Sequence, residues 1–218
     1  MTDFTVYCLK YGETTLPENM VFTGGDKNKK LPITLTFYLI KLRGRNILID
    51  TGCDTMPGFV VKKHYSPAFV LRELDLCADE ITDVVITHAH HDHIGAVSYF
   101  KNAVIHISED ALNSRSGYIT DDMTVKTFQD EYIITPEIKV VKWGGHAAGS
   151  SIVEIKADDV THIIAGDECY TNDCLVSGRP TGAYYNLDKA KEFVEKFKAK
   201  NYRVHTLHDC TLKTDRLI

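Results

Sequence analysis

The run Val84-Val85-Ile86 passes straight into Thr87-His88-Ala89-His90-His91-Asp92-His93, so four imidazoles and a carboxylate crowd into seven residues directly after an apolar stretch. The apolar run reads as the end of a buried strand, and Ile94-Gly95-Ala96-Val97 as the first turn of a helix. The histidines therefore fall on a strand-to-helix loop, where α/β sheets put their chemistry. A lone histidine is more often a surface group or a satisfied core residue. Four packed together without a cation would set titrating, mutually repelling groups side by side. Imidazole and carboxylate suit zinc, manganese or iron, and alternate positions let His88 and His90 converge on one ion while Asp92 and His93 turn toward another. The stretch is read as a metal site.

Around it the pattern is mixed α/β. Strands are expected over Phe4 to Leu9, Leu35 to Ile40 and Asn46 to Ile49, the last two joined as a hairpin through Arg43-Gly44-Arg45. Ser66-Pro67 supply an N-cap and a first-turn proline for a helix through Leu74. Val104 to Ile107 reads as a strand with His106 on its face, and Ser108-Glu109-Asp110 open a helix behind it. Residues 113–136 lose clear periodicity and are expected to form a mobile segment over the site. Strand character returns at Ile138 to Trp143, Ser151 to Ile155 and Thr161 to Ala165. An amphipathic helix follows Asn186 (Leu187, Ala190, Phe193, Val194, Phe197), and Tyr202 to Leu207 forms a last strand.

At 218 residues the chain fits one domain, 1–218. A net charge of -5, from 25 basic and 30 acidic residues, gives no electrostatic footprint for nucleic acid or an anionic membrane, so a small-molecule substrate is expected. The start Met1-Thr2-Asp3-Phe4-Thr5 has an acid where a signal peptide is basic, no long apolar run follows, and a cytoplasmic protein is expected. The six cysteines lack CxxC spacing and read as free thiols, with Cys169 and Cys210 as short apolar fillers beside the site. Asp50, at a strand end before Thr51-Gly52, and Asp209 are candidates for orienting imidazoles.

Three further candidates stand at strand ends: His146 in Gly144-Gly145-His146-Ala147-Ala148-Gly149-Ser150, Asp167 in Ala165-Gly166-Asp167, and His208 before Asp209. With His88, His90, Asp92 and His93 they run in the order HxHxDH, His, Asp, His. That order, over nearly the whole chain from Asp50-Thr51-Gly52 to His208, resembles the metallo-β-lactamase fold superfamily. The resemblance implies a four-layer αββα sandwich with the ligand loops along one edge of the paired sheets. It further implies two divalent metal ions, Zn²⁺ foremost with iron or manganese as alternatives. His88, His90 and His146 would hold one ion, Asp92, His93 and His208 the other, and Asp167 would bridge them.

Tyr170, three residues after Asp167, matches a tyrosine typical of the N-acyl-homoserine lactonases in that superfamily, which implies a lactone-opening hydrolase. Compact size, Ile47-Leu48-Ile49-Asp50-Thr51-Gly52 and an end soon after His208-Asp209 fit the same branch. Two features depart from it: His91 replaces an apolar residue, and Ala147-Ala148 with Ser150 replace the hydroxyl or proline and the second histidine often found there. Two cations about 3.5 to 4 Å apart lower the pKa of a bridging water from about 15.7 toward about 7, supplying hydroxide as nucleophile. Tyr170 would donate to the developing oxyanion or leaving oxygen, and Asp92 would carry the proton. Met20-Val21-Phe22, Phe59-Val60-Val61 and Tyr184-Tyr185 are expected to wall an acyl pocket. The rival readings are a glyoxalase II-like thioesterase, which would want a substrate-binding extension after His208, and other ester or phosphodiester hydrolysis. Outside that class stand an oxygen-reducing di-iron protein, which would need a flavin domain, and a non-catalytic metal-binding protein.

Overall fold

The computed structural model describes residues 4–114, 116–157 and 159–218, and the signal-peptide reading of Met1 to Asp3 lies outside them. Among the described residues, twelve strands form two sheets. The first contains β1 (Phe4–Pro17), β2 (Lys30–Leu42), β3 (Arg45–Ile49), β4 (Asp83–Ile86), β5 (Val104–Ser108), β6 (Thr124–Phe128) and, at the far end of the chain, β12 (Asp215–Arg216). The second contains β7 (Glu131–Thr135), β8 (Ile138–Lys142), β9 (Ser151–Ala157), β10 (Val160–Ile164) and β11 (Tyr202–His205). Strand order is β12-β1-β2-β3-β4-β5-β6 in one sheet and β11-β10-β9-β8-β7 in the other. The helices are short except the last: α1 (Glu18–Val21), α2 (Pro67–Leu71), α3 (His91–Ile94), α4 (Glu109–Ser114), α5 (Asn172–Ser177) and α6 (Leu187–Phe197). Among the described residues, no helix is long and apolar enough to cross a membrane.

Alternation along the strands builds the layers. In β2, Tyr38 and Ile40 join Ile47, Ile49, Val85, Val153, Ile155 and Ile164 in a core between the sheets. Their neighbours Phe37, Leu39, Leu48, Val84, Ile86 and Ile163 point to the opposite faces and join a second core with Phe100, Phe193 and Phe197. A period of two in the strands thus yields the four-layer αββα sandwich. Ser66 caps α2 by accepting from the Phe69 amide at 3.2 Å, and Asn186 caps α6 by accepting from Asp188 and Lys189.

β1 overruns its expected position, continuing to Pro17 through an irregularity between Lys10 and Gly12, whereas β8, β10 and β11 stop short of the expected Trp143, Ala165 and Leu207. Within the stretch expected to lack regular structure, Thr124–Phe128 and Glu131–Thr135 supply β6 and β7, an edge of each sheet. Only Phe128 of these two edge strands is buried, and Tyr132, Ile133 and Ile134 run together in β7, so the alternation that would announce them is weak. The helix expected from Ile94 begins instead at His91, with Asp92 and His93 in its single turn.

Candidate metal centre

The first sheet is parallel from β3 to β6, and β8, β10 and β11 share a direction in the second, so the C-terminal ends of β3 and β4 meet those of β8, β10 and β11. The Ser151 amide donates to the Thr87 carbonyl at 2.8 Å and ties the two sheets together there. All seven candidates gather at this end. Ligand atoms of His88, His90, His146 and Asp167 converge, and those of Asp92, His93 and His208 converge beside them.

Asp167 lies between the two groups. Its Oδ2 is 3.6 Å from His88 Nε2 and 3.5 Å from His146 Nε2, and its Oδ1 is 3.2 Å from His93 Nε2 and 3.0 Å from His208 Nε2. His90 Nδ1 lies 3.0 Å from His88 Nε2 and 2.9 Å from His146 Nε2, and Asp92 Oδ2 is 3.7 and 3.8 Å from the Nε2 atoms of His93 and His208. His93 Nε2, His208 Nε2 and Asp167 Oδ1 are buried and find no well-directed hydrogen bond. Leaving such atoms unpaired costs about 1 to 3 kcal/mol each. A divalent cation in each group would satisfy them, and the nitrogen and oxygen donor set suits zinc, iron or manganese.

The ring nitrogens facing away are held in place. Asp50 Oδ2 accepts from His93 Nδ1 at 2.7 Å, the Thr34 carbonyl from His208 Nδ1 at 2.8 Å and the Ala183 carbonyl from His146 Nδ1 at 2.5 Å, while Thr87 Oγ1 is 3.1 Å from His88 Nδ1. Such partners fix tautomer and ring orientation. Asp50 also accepts from the Thr87 amide and hydroxyl at 2.7 and 2.8 Å, and its backbone sits in the left-handed region at φ 63°. Asp209 takes a different part from the expected one: it accepts from Asn172, Thr211 N and Thr211 Oγ1, pinning α5 without touching an imidazole.

Charge separates the groups. Burial drives His88 well below its ordinary pKa and His146 down to about 4. Burial opposes protonation of His93 and His208 too, yet Asp167 and Asp92, with Asp50 at His93, raise both. Asp167, which burial alone would raise, is held well below the usual carboxylate range by His93, His208 and His88. Tyr170 is buried, its ring stacked on His208 at 5.1 Å and edge-on to His146 at 5.8 Å, and burial and then the Asp167 charge push its phenol well above 10.

Several residues at the site carried no obvious signal. Thr34, Thr36 and Tyr38 present hydroxyls on one face of β2 and donate to the carbonyls of Asp209, Leu207 and Thr206 at 2.7, 2.7 and 2.5 Å, seating the segment that bears His208. Their alternation in the strand was the available clue. Glu168 is fully buried, pushed up to about 7 by burial, and bonded to the loop bearing His146. Tyr11 donates to the Asp92 carbonyl at 2.9 Å. His91 turns away from the cluster, its nitrogens 2.7 Å from the Tyr118 hydroxyl and 2.6 Å from the Thr55 carbonyl.

A cavity of about 340 Å³ opens on His88 and His90, lined by Ala89, Ala111, Ser114, Ala147, Ala148 and Gly149. The expected acyl wall is not its lining. Val21 and Phe22 are core residues, Phe59, Tyr184 and Tyr185 are exposed, and Val60 lines a separate cleft of about 480 Å³ with Thr34 and Cys210. Cys169 is buried as a filler should be, whereas Cys210 is exposed.

A profile of the Metallo-beta-lactamase superfamily matches residues 36–109. The chain is 24% identical to the N-acyl homoserine lactonase AiiB of Rhizobium rhizogenes, over 76% of this chain and 77% of that protein. It is 26% identical to a probable metallo-hydrolase of Methanocaldococcus jannaschii, over 79% and 75%. An N-acyl homoserine lactone hydrolase solved with N-hexanoyl-L-homoserine at its catalytic metal centre superposes with a TM-score of 0.83 at 19% identity, covering 96% of this chain and 94% of that one.

Proposed function

The chain has the metallo-β-lactamase fold, and from that premise we propose that it is a single-domain, dinuclear metal-dependent hydrolase that opens lactones of the N-acyl-homoserine type. The observation that carries the reading is Asp167, whose two oxygens face two separate histidine groups containing orphaned buried atoms. His88, His90 and His146 would hold one cation and Asp92, His93 and His208 the other, with Asp167 shared. When bound, the pair supplies electrophilic activation of an ester carbonyl and ionises water at neutral pH.

The chain's own residues do the rest. Tyr170 keeps its proton, because burial and the neighbouring carboxylates oppose ionisation, and so can donate to the oxygen on which charge develops. Asp92, partly open to solvent on the first turn of α3, can carry a proton to the leaving alkoxide. Thr34, Thr87, Asp50 and Ala183 hold the imidazole rings so that little reorganisation is needed. Tyr184 and Tyr185, exposed and directly after Ala183, would supply apolar contacts to an acyl chain. The likeness to N-acyl homoserine lactonases supports the lactone assignment.

The test is a pH-indicator assay of the metal-loaded protein on N-acyl-homoserine lactones, simple γ-lactones, acyl-thioesters and phosphodiesters. The acylated lactones should give the highest kcat/KM, and Tyr170→Phe should keep both metals while lowering kcat by about 10 to 10³-fold. A thioester or phosphodiester more than about tenfold better than every lactone, about 1.4 kcal/mol in transition-state binding, would reject the substrate class.

A further inference from the structure

Glu168 follows Asp167 directly and is wholly buried, yet among the described residues its hydrogen bonds come from uncharged donors. Its Oε1 accepts from the Gly145 amide at 3.1 Å and the His146 amide at 3.2 Å, its Oε2 accepts from the His146 amide at 3.1 Å, and the Ser150 hydroxyl donates to Oε1. Ser150 Oγ in turn accepts from the Ala147 amide at 3.1 Å. One carboxylate thus gathers both ends of the 145–150 loop that carries His146. Gly145 is cut to fit it, since a Cβ there would lie 2.2 Å from Glu168 Oε2. Burying a carboxylate costs several kcal/mol unless its lone pairs are filled, and amide donors at this number and distance are what fill them.

The imidazole of His146 is held from the other side by the Ala183 carbonyl at 2.5 Å. Two contacts therefore define its place, one at its backbone and one at its ring. His93 and His208 have no such carboxylate beneath their backbones: their rings rest on Asp50 and on the Thr34 carbonyl. We infer that Glu168 is the positioning residue for His146, so that cation affinity in the group of His88, His90 and His146 depends on the Glu168 carboxylate while affinity in the neighbouring group does not. This rests on the reading of both groups as metal sites.

The experiment titrates metal-free protein with Co²⁺ against a competing chelator and follows ligand-field absorption, with His146→Ala marking the spectral features of its own group. Wild type should take two equivalents. Glu168→Gln retains the volume but sets an amide donor against the His146 N–H, and it should weaken one of the two equivalents about 10 to 100-fold, the range for a lost orienting partner, with the other within about threefold. Ser150→Ala removes one donor without touching the carboxylate, and it should weaken the same equivalent by less. Should Glu168→Gln fail to fold by circular dichroism, the Ser150→Ala titration decides, and an unchanged affinity there overturns the role of Glu168. Two equivalents in wild type that neither substitution moves, or that both move equally, overturn it as well. No Co²⁺ bound by wild type would instead reject the metal reading itself.

Discussion

The rings of His88 and His93 lie 4.0 Å apart, equally buried, yet the structure treats them in opposite ways. Burial presses both toward the neutral form; the carboxylates of Asp167, Asp92 and Asp50 reverse this at His93, whereas Asp167 alone does not at His88. His146 behaves as His88 does and His208 as His93 does. A third assembly completes the series. His162 and His205, stacked at 5.1 Å and bonded through Nδ1 and Nε2 at 2.8 Å, have no carboxylate acting on them, and burial drives His205 down to about 3. Residue type is shared across the three, although His205 is only half-buried. What differs is the local balance of charge: carboxylates dominate around His93 and His208, whereas neighbouring histidines at His88, and His162 with Arg203 at His205, add to the effect of burial.

The largest test removes Asp167, the carboxylate that faces both histidine groups and that two cations are proposed to share. Asp167→Asn should lower kcat/KM by at least about 10³-fold, beyond the roughly 10 to 100-fold of a lost orienting partner, and bring metal content below one equivalent. One ion retained at wild-type affinity would mean that the groups are independent. Next in size, Asp50→Asn should weaken the group of Asp92, His93 and His208 about 10 to 100-fold by loosening His93. Because Asp50 also holds Thr87, and Thr87 touches His88, any loss in the neighbouring group measures how far the two are coupled.

The smallest effect belongs to the pair without carboxylates. His205 has a folded pKa below its unfolded value, so between about pH 6.5 and 5 the unfolded chain takes up a proton that the folded one refuses, and stability falls as pH falls. That contribution is up to about 2 kcal/mol over 1.5 pH units. Urea midpoints of wild type and His205→Phe, both metal-free, should converge on acidification, and parallel curves would place the pH sensitivity elsewhere.

The seven candidates were legible because imidazole and carboxylate at strand ends are costly without a purpose, and the cluster after Ile86 is too dense to be incidental. Alternation in β2, β3 and β4 made the sandwich legible for the same reason: each apolar residue must face one of two cores. Legibility failed where a residue acts through the backbone. Glu168 works by accepting amide hydrogens brought to it by a loop 20 residues earlier, and Thr34, Thr36 and Tyr38 by reaching carbonyls that only the docking of the second sheet delivers. Nothing in their own neighbourhoods encodes the partner. The edge strands β6 and β7 were missed for a different reason: their inward face is only partly covered, by Phe128, Tyr132 and Ile134, and Ile133 on the other face blurs the period.

Asp50 sits at the end of β3 with a left-handed backbone and both carboxylate oxygens occupied. Few residues tolerate that conformation, and for most side chains it costs about 1 to 2 kcal/mol. Asparagine tolerates it but turns one acceptor into a donor. Glutamate keeps the charge but pays the backbone strain and overreaches by a methylene, and glycine keeps the backbone but brings no oxygen. The position is therefore isolated in mutational space: no single replacement preserves both the bend and the three acceptor contacts, so drift there has no neutral first step.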